Sequence, residues 1–122
     1  NPHCVIITDD DPMELAKKYG PTIEKHEFFP EKTNTEFVKV KSNMEIDMRV
    51  YERGCGITLA CGTGACASVV ACVLNNLTEN KVKVNLLGGP VFVEWQGSKD
   101  DTEKDIFLIG SANYSFFAEY ML

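Results

Sequence analysis

The sequence lacks the features of several specialised classes of protein. Its five cysteines are an odd number and form no Cys-x-x-Cys pair, so neither a disulfide scaffold nor a zinc site is expected. Positive charge is scarce, and the net charge of -6 argues against binding to nucleic acid or to an anionic membrane surface. No apolar run approaches the roughly 20 residues of a membrane span. We therefore expect a cytoplasmic protein with reduced thiols and no metal ion.

The chain begins at Asn1 rather than at Met, without the pattern of a signal peptide. This start predicts that sequence is missing upstream. The length of 122 residues and the hydrophobic and charged shares of 44% and 25% are typical of a small globular protein. We expect residues 1–122 to form a single domain with one core.

Most of the chain has the alternating or β-branched apolar pattern of strands. Strands are predicted at residues 3–8, 36–40, 44–50, 82–87, 91–96, 105–109 and 115–122, with 41–43 as a turn. A first helix is predicted from Pro12, with Asp11 as its N-cap and Gly20 as its stop before Pro21. Residues 21–26 could add another helical turn.

One segment breaks the strand pattern. Gly62–Leu74 reads GTGACASVVACVL, which is small and apolar on every side and predicts a buried helix. Strands precede and follow this segment. We therefore predict an α+β fold in which a curved, mostly antiparallel sheet wraps around a central buried helix.

Cys61 stands directly before this predicted helix and before Gly62-Thr63-Gly64. The first turn of a helix has unpaired N–H groups and a partial positive charge, which should lower the pKa of a cysteine and can hold an anion. A reactive sulfur beside a bound carboxylate is one interpretation. A tight strand-to-helix turn is the other. The loop does not match a P-loop, because no Lys follows its second glycine.

The other candidate residues have plain structural interpretations. Cys4, Cys66 and Cys72 lie in apolar segments and suit packing, and Cys55 lies in a Gly-rich loop.

Glu52 and Arg53 lie between a predicted strand and the loop that begins at Gly54, and could hold an ammonium and a carboxylate group, or form a solvated ion pair. By default His3 is a partly buried structural histidine and Asn34 a loop residue.

Four blocks, taken in order, resemble those of the diaminopimelate epimerases. They are NPHCV at 1–5, KTNTEF at 32–37, YERGCG at 51–56 and ACGTGACA at 60–67. The resemblance extends through VEW at 93–95 and GSA at 110–112, and so covers nearly the whole chain. It corresponds only to the carboxy-terminal half of the family's sequence.

The resemblance implies a cofactor-independent amino-acid epimerase that interconverts LL- and meso-diaminopimelate in lysine and peptidoglycan precursor biosynthesis. It implies a sheet around a central helix that begins with Cys61, one of two acid/base thiols, and a role for His3 and Glu52 near the thiols. The implied substrate-binding residues are Asn1, Asn34, Glu52, Arg53, Gly62 and Thr63. It implies no metal or pyridoxal cofactor, an amino-terminal half that supplies the other thiol, and a homodimer.

The chain departs from the family's pattern at three positions. Ser111 stands where Pro is usual, Lys32 where Arg is common, and Ile57 where Glu is frequent. Two alternatives stay open, a proline-racemase-like isomerase and a non-catalytic domain. Because only one of the two thiols is present, the isolated chain is predicted to be inactive.

Overall fold

The computed structural model describes residues 2–110 and the backbone of residues 117–121. The elements are β1 (His3–Ile7), α1 (Pro12–Glu24), β2 (Asn34–Ser42), β3 (Glu45–Glu52), β4 (Gly56–Thr58), α2 (Gly62–Leu74), β5 (Lys81–Leu86), β6 (Gly89–Trp95), β7 (Asp105–Ile109) and β8 (Phe117–Met121). The structure contains each predicted strand with bounds that differ by at most two residues, and it adds β4. Of the strand predicted at 115–122, residues 115, 116 and 122 lie outside the described residues.

The strands form one sheet in the order β1-β2-β3-β5-β6-β7-β8, with β4 paired to β3. The β1–β2 and β3–β5 pairs are parallel and the others are antiparallel. Helix α2 contacts β1, β2, β3, β6 and β7. A flat sheet from β1 to β7 would be roughly 24 Å wide, about twice the diameter of a helix, so the sheet must curve to reach α2 from both sides. The predicted α+β fold is confirmed.

Helix α2 has the predicted bounds and carries the centre of the core. Its buried residues are Gly64, Ala65, Cys66, Ser68, Val69 and Cys72. They pack against fully buried side chains of the sheet, among them Val82, Val93 and Trp95. Val70 and Val73 are only partly buried, so one face of the helix is less enclosed than predicted.

Helix α1 begins as predicted, because the Asp11 carboxylate accepts a hydrogen bond from the Met13 N–H group at 2.9 Å. The prediction that it stops at Gly20 is wrong, since the helix continues to Glu24. A Cβ atom at Gly20 would lie 2.5 Å from the Tyr51 ring, so this glycine allows α1 to approach the sheet. The missing Cβ also reduces the clash that normally precedes a proline, here Pro21.

The turn between β2 and β3 lies one residue later than predicted. Residues 43 and 44 form it, Ser42 still pairs with Glu45, and a register shift falls between Val40 and Ser42. Met44 is therefore 55% exposed instead of joining Ile46 and the buried face of β3. Neither helix in the described part of the chain is long and apolar enough to cross a membrane.

Candidate functional site

Cys61 caps the N-terminus of α2. Its backbone is extended, its carbonyl accepts from the Ala65 N–H group at 2.9 Å, and its Sγ atom accepts from the Gly64 N–H group at 3.3 Å. A sulfur atom thus fills the position that the oxygen of a Ser or Asp usually takes in an N-cap. The cap fixes the sulfur at the positive end of the helix.

The surroundings of Cys61 favour the thiol over the thiolate. Its residue is 8% exposed, and this burial raises the pKa of the thiol above its ordinary value. A hydrogen bond with Glu52 and the charge of Glu52 act in the same direction, while the Thr63 hydroxyl and the Gly64 N–H group lower the pKa. The prediction of a lowered pKa is therefore wrong, because burial outweighs the donors at the helix start.

A short hairpin places Glu52 next to Cys61. Glu52 ends β3 and pairs with Gly56 of β4, and Gly54 and Gly56 adopt φ angles of 81° and 79° in the turn. Only glycine adopts such angles without strain. Side chains alternate along β3, so Glu52 shares the face of the buried Val50 that is directed at α2.

The tip of this hairpin is held by two buried side chains. Asn34 accepts through Oδ1 from the backbone N–H group of Arg53 at 2.6 Å. Glu24, at the end of α1, accepts through Oε2 from the N–H group of Gly54 at 3.0 Å. Asn34 and Glu24 are 6% and 7% exposed. The structure therefore places Asn34 beside Arg53 and Glu52, but with its side-chain oxygen engaged by the hairpin.

The Arg53 side chain lies at the edge of the site. Its guanidinium donates through Nη1 to the backbone carbonyl of Glu31 at 3.1 Å. Glu31 also lines an open cleft with Pro2 and Phe29.

Glu36 is a buried carboxyl group of the site that could not be recognised from the sequence. The Nδ1 atom of His3 lies 2.5 Å from Oε1 of Glu36, whose side chain is 0% exposed. Burial raises the pKa of the Glu36 carboxyl group and Glu52 raises it further, while His3 lowers it. Its place in an alternating strand made Glu36 resemble a solvent-facing residue. Only the packing of α2 against this end of β2 shows that it is internal.

The start of α2 also offers backbone donors. No described residue accepts a hydrogen bond from the N–H groups of Gly62 and Thr63, which belong to the first turn. Thr63 is exposed, so an anion could reach them. Asn1, the remaining predicted contact, lies outside the described residues. Among the described residues no three His, Cys, Asp or Glu side chains converge on a metal site.

The other thiols are separate from this arrangement. Burial raises the pKa of Cys66 to about 12 and that of Cys72 to about 11, and both lie within the core. Cys4 is half-buried on β1, and Cys55 is exposed in the hairpin turn. Their predicted structural roles fit these positions.

Two solved structures share the fold. One is the Bacillus anthracis phenazine biosynthesis protein of the PhzF family, with a TM-score of 0.61 and 19% identity over 88% of this chain and 35% of that one. The other is a putative phenazine biosynthesis PhzC/PhzF protein from Clostridium difficile, with a TM-score of 0.62 and 19% identity over 90% and 38% of the two chains. At this identity the likeness concerns the fold.

Sequence relatives are much more similar. The family model for diaminopimelate epimerase matches residues 1–115. Curated diaminopimelate epimerases of Desulfitobacterium hafniense and Heliobacterium modesticaldum are 51% and 47% identical over 95% and 100% of this chain. The aligned part is 39% and 42% of those proteins, so the chain spans about two fifths of their length. The chain belongs to the diaminopimelate epimerase family.

Proposed function

We propose that the complete protein containing this chain is a diaminopimelate epimerase. It would interconvert LL- and meso-diaminopimelate without pyridoxal phosphate or a metal ion, in the supply of lysine and peptidoglycan precursors. One observation carries the proposal: Cys61 sits at the start of α2 with Glu52 on one side and the Gly64 N–H group on the other. Membership of the family supports the same activity.

In this proposal Cys61 is one of two thiols on opposite faces of the α-carbon. One thiolate removes the α-proton, and the other thiol delivers a proton to the opposite face. The raised pKa of Cys61 means that it rests as a thiol at neutral pH, which suits the proton donor. When Cys61 acts as the base, Glu52 is the neighbouring carboxylate to which its thiol hydrogen bonds.

The weakly acidic α-proton requires stabilisation of the carbanion that forms when it leaves. The open N–H groups of Gly62 and Thr63 would bind the substrate carboxylate and stabilise charge that moves onto it. Arg53 and Glu52, together with Asn34 and Asn1, would bind the charged groups of the substrate. The second thiol, and a second set of donors, would come from the part of the protein that this chain does not contain.

The test is α-proton exchange and epimerisation of LL-diaminopimelate by the complete protein and its Cys61→Ser variant. Serine keeps the cap but is far too weak an acid to exchange the proton, so we expect the conversion to meso-diaminopimelate to fall by at least about a thousandfold. Cys55→Ser is the matched control and should keep the activity. A Cys61→Ser variant with ordinary turnover would contradict the proposal.

The alternative of a proline-racemase-like isomerase is tested in the same assay. Glu52 lies next to the thiol and Arg53 lies at the edge of the site, and these two charged groups suit a substrate with a second amino-acid head group. We therefore expect exchange with diaminopimelate and none with proline. Racemisation of proline alone would favour the alternative.

A further inference from the structure

A fully buried carboxylate lies next to the candidate thiol, and the proposed function gives it no role. Glu36 has 0% exposure, and its Oε2 atom has no hydrogen-bond partner among the described residues. A buried carboxylate with an unpaired oxygen is unfavourable unless something in the site requires it. Its presence therefore calls for a chemical reason.

The side chains of Glu36 and Cys61 both lie close to Gly64. A Cβ atom at Gly64 would lie 3.1 Å from Sγ of Cys61 and 3.2 Å from Cδ of Glu36. The carboxylate and the sulfur thus both lie against the first turn of α2, next to the same residue. Glycine at this position leaves both side chains room to approach the helix.

His3 connects this carboxylate to the surface of the site. Its Nδ1 atom is engaged by Glu36 Oε1 at 2.5 Å, and its side chain is 15% exposed. The hydrogen bond made by one ring nitrogen determines the protonation of the other. Because the acceptor at Nδ1 is a carboxylate, Nε2 is the nitrogen that remains for proton exchange.

We propose that Glu36 is a positioning residue of this active site, which fixes the ring and tautomer of His3 so that Nε2 is the nitrogen that exchanges protons. The inference rests on the proposed function. Glu36 touches no substrate and acts through His3. A glutamine of the same shape would keep a hydrogen-bond acceptor but lose the charge that stabilises a protonated imidazole.

The titratable groups around Glu36 set the sign of the effect. They are His3 and Cys4 on β1, Glu52 on β3 and Cys61 at the start of α2. The His3 imidazolium favours the carboxylate form of Glu36, and Glu52 opposes it. Removing the charge of Glu36 therefore removes the attraction between this carboxylate and the His3 ring.

The experiment measures kcat, KM and the melting temperature for the complete protein and its Glu36→Gln variant. We expect kcat to fall at least about tenfold and KM to stay within about twofold. Glu45→Gln is the matched control, since Glu45 also accepts a hydrogen bond on the sheet, from Asn85 at 2.7 Å, and its activity should not change. A merely structural Glu36 would lower the melting temperature and leave kcat of the folded variant unchanged, and that result would overturn the proposal.

Two further measurements keep the inference separate from the proposed function. His3→Gln combined with Glu36→Gln should lose no more activity than His3→Gln alone, because Glu36 acts through His3, and additive losses would overturn the inference. Nitrogen NMR of the imidazole should show Nδ1 protonated in the unsubstituted protein and a mixture of tautomers in Glu36→Leu. This readout does not require turnover. An unsubstituted protein that epimerises nothing would refute the proposed function, whereas an unchanged tautomer in Glu36→Leu would refute the inference.

Discussion

Asn34 Oδ1 accepts a hydrogen bond from the backbone N–H group of Arg53 at 2.6 Å, and this bond joins the start of β2 to the hairpin that carries Glu52. The resemblance implies that Asn34 binds substrate. Asn34 also has a structural role, because its side-chain oxygen fixes the position of the hairpin tip. Substitutions at Asn34 should therefore alter the placement of Glu52 and Arg53 as well as direct contacts.

Asn34→Ala should weaken both stability and catalysis. It removes the 2.6 Å hydrogen bond that Asn34 accepts from the part-buried N–H group of Arg53, which costs about 1–3 kcal/mol. We also expect KM for diaminopimelate to rise, because the hairpin tip moves.

The matched control is Asn75→Ala, which removes a side-chain hydrogen bond to the Ala71 carbonyl at the exposed end of α2. Steady-state kinetics and thermal unfolding would measure both effects. Equal effects of the two substitutions would contradict the special position of Asn34.

Glu24 supports the same hairpin from the other helix. Glu24→Ala removes the acceptor of the Gly54 N–H group and should destabilise the protein by about 1–3 kcal/mol. Glu27→Ala, at an exposed position just after α1, should have little effect. Denaturant unfolding of the two variants measures the difference. If they are equally stable, Glu24 does not hold the hairpin.

Glu52→Gln should make Cys61 a better nucleophile even as it impairs epimerisation. Glu52 raises the pKa of Cys61 through a hydrogen bond and through its charge, so its neutralisation lowers that pKa. The thiolate fraction at mildly alkaline pH then increases, and alkylation of Cys61 becomes faster.

Peptide mass mapping after brief alkylation, over a range of pH, would measure this change. Cys55 is exposed and should be labelled first in every variant. Glu79 is exposed, so Glu79→Gln should leave the pH dependence of Cys61 alkylation unchanged. Slower labelling of Cys61 in Glu52→Gln would contradict the assigned direction.

The core position of α2 can be tested with one buried charge. Val69 is 0% exposed, and Val69→Asp places a carboxylate without a partner at the centre of the core. We expect a loss of more than about 4 kcal/mol, enough to unfold a protein of ordinary stability. Leu77→Asp is the control, because Leu77 is 39% exposed. Circular dichroism melting curves would compare the two, and a near-normal melting temperature for Val69→Asp would contradict the central place of α2.

The parts of the fold that depend on local pattern could be predicted from the sequence. The bounds of α2 follow from its uniformly small and apolar residues, and the start of α1 follows from Asp11 and Pro12. The end of α1 could not be predicted, because Gly20 serves a contact with Tyr51, far away in the sequence.

The candidate site shows the same limit. Cys61 and Glu52 were found through their motifs. Strand β4 was missed because the glycines around it resemble a loop, although the same glycines allow its tight turn. The role of Glu36 could not be predicted, because its burial depends on α2 covering β2. The raised pKa of Cys61 could not be predicted either, because a helix start can be recognised from the local sequence whereas burial cannot.

We propose that Cys61 inverts the α-carbon only together with a thiol outside this chain. This dependence is tested by incubating LL-diaminopimelate in deuterated water with the complete protein, with its Cys61→Ser variant and with the isolated chain, and by following stereochemistry and α-deuterium together. We expect meso-diaminopimelate that carries α-deuterium from the complete protein, and none from the variant or the isolated chain. Conversion to the meso isomer by the isolated chain, at a rate like that of the complete protein, would contradict it.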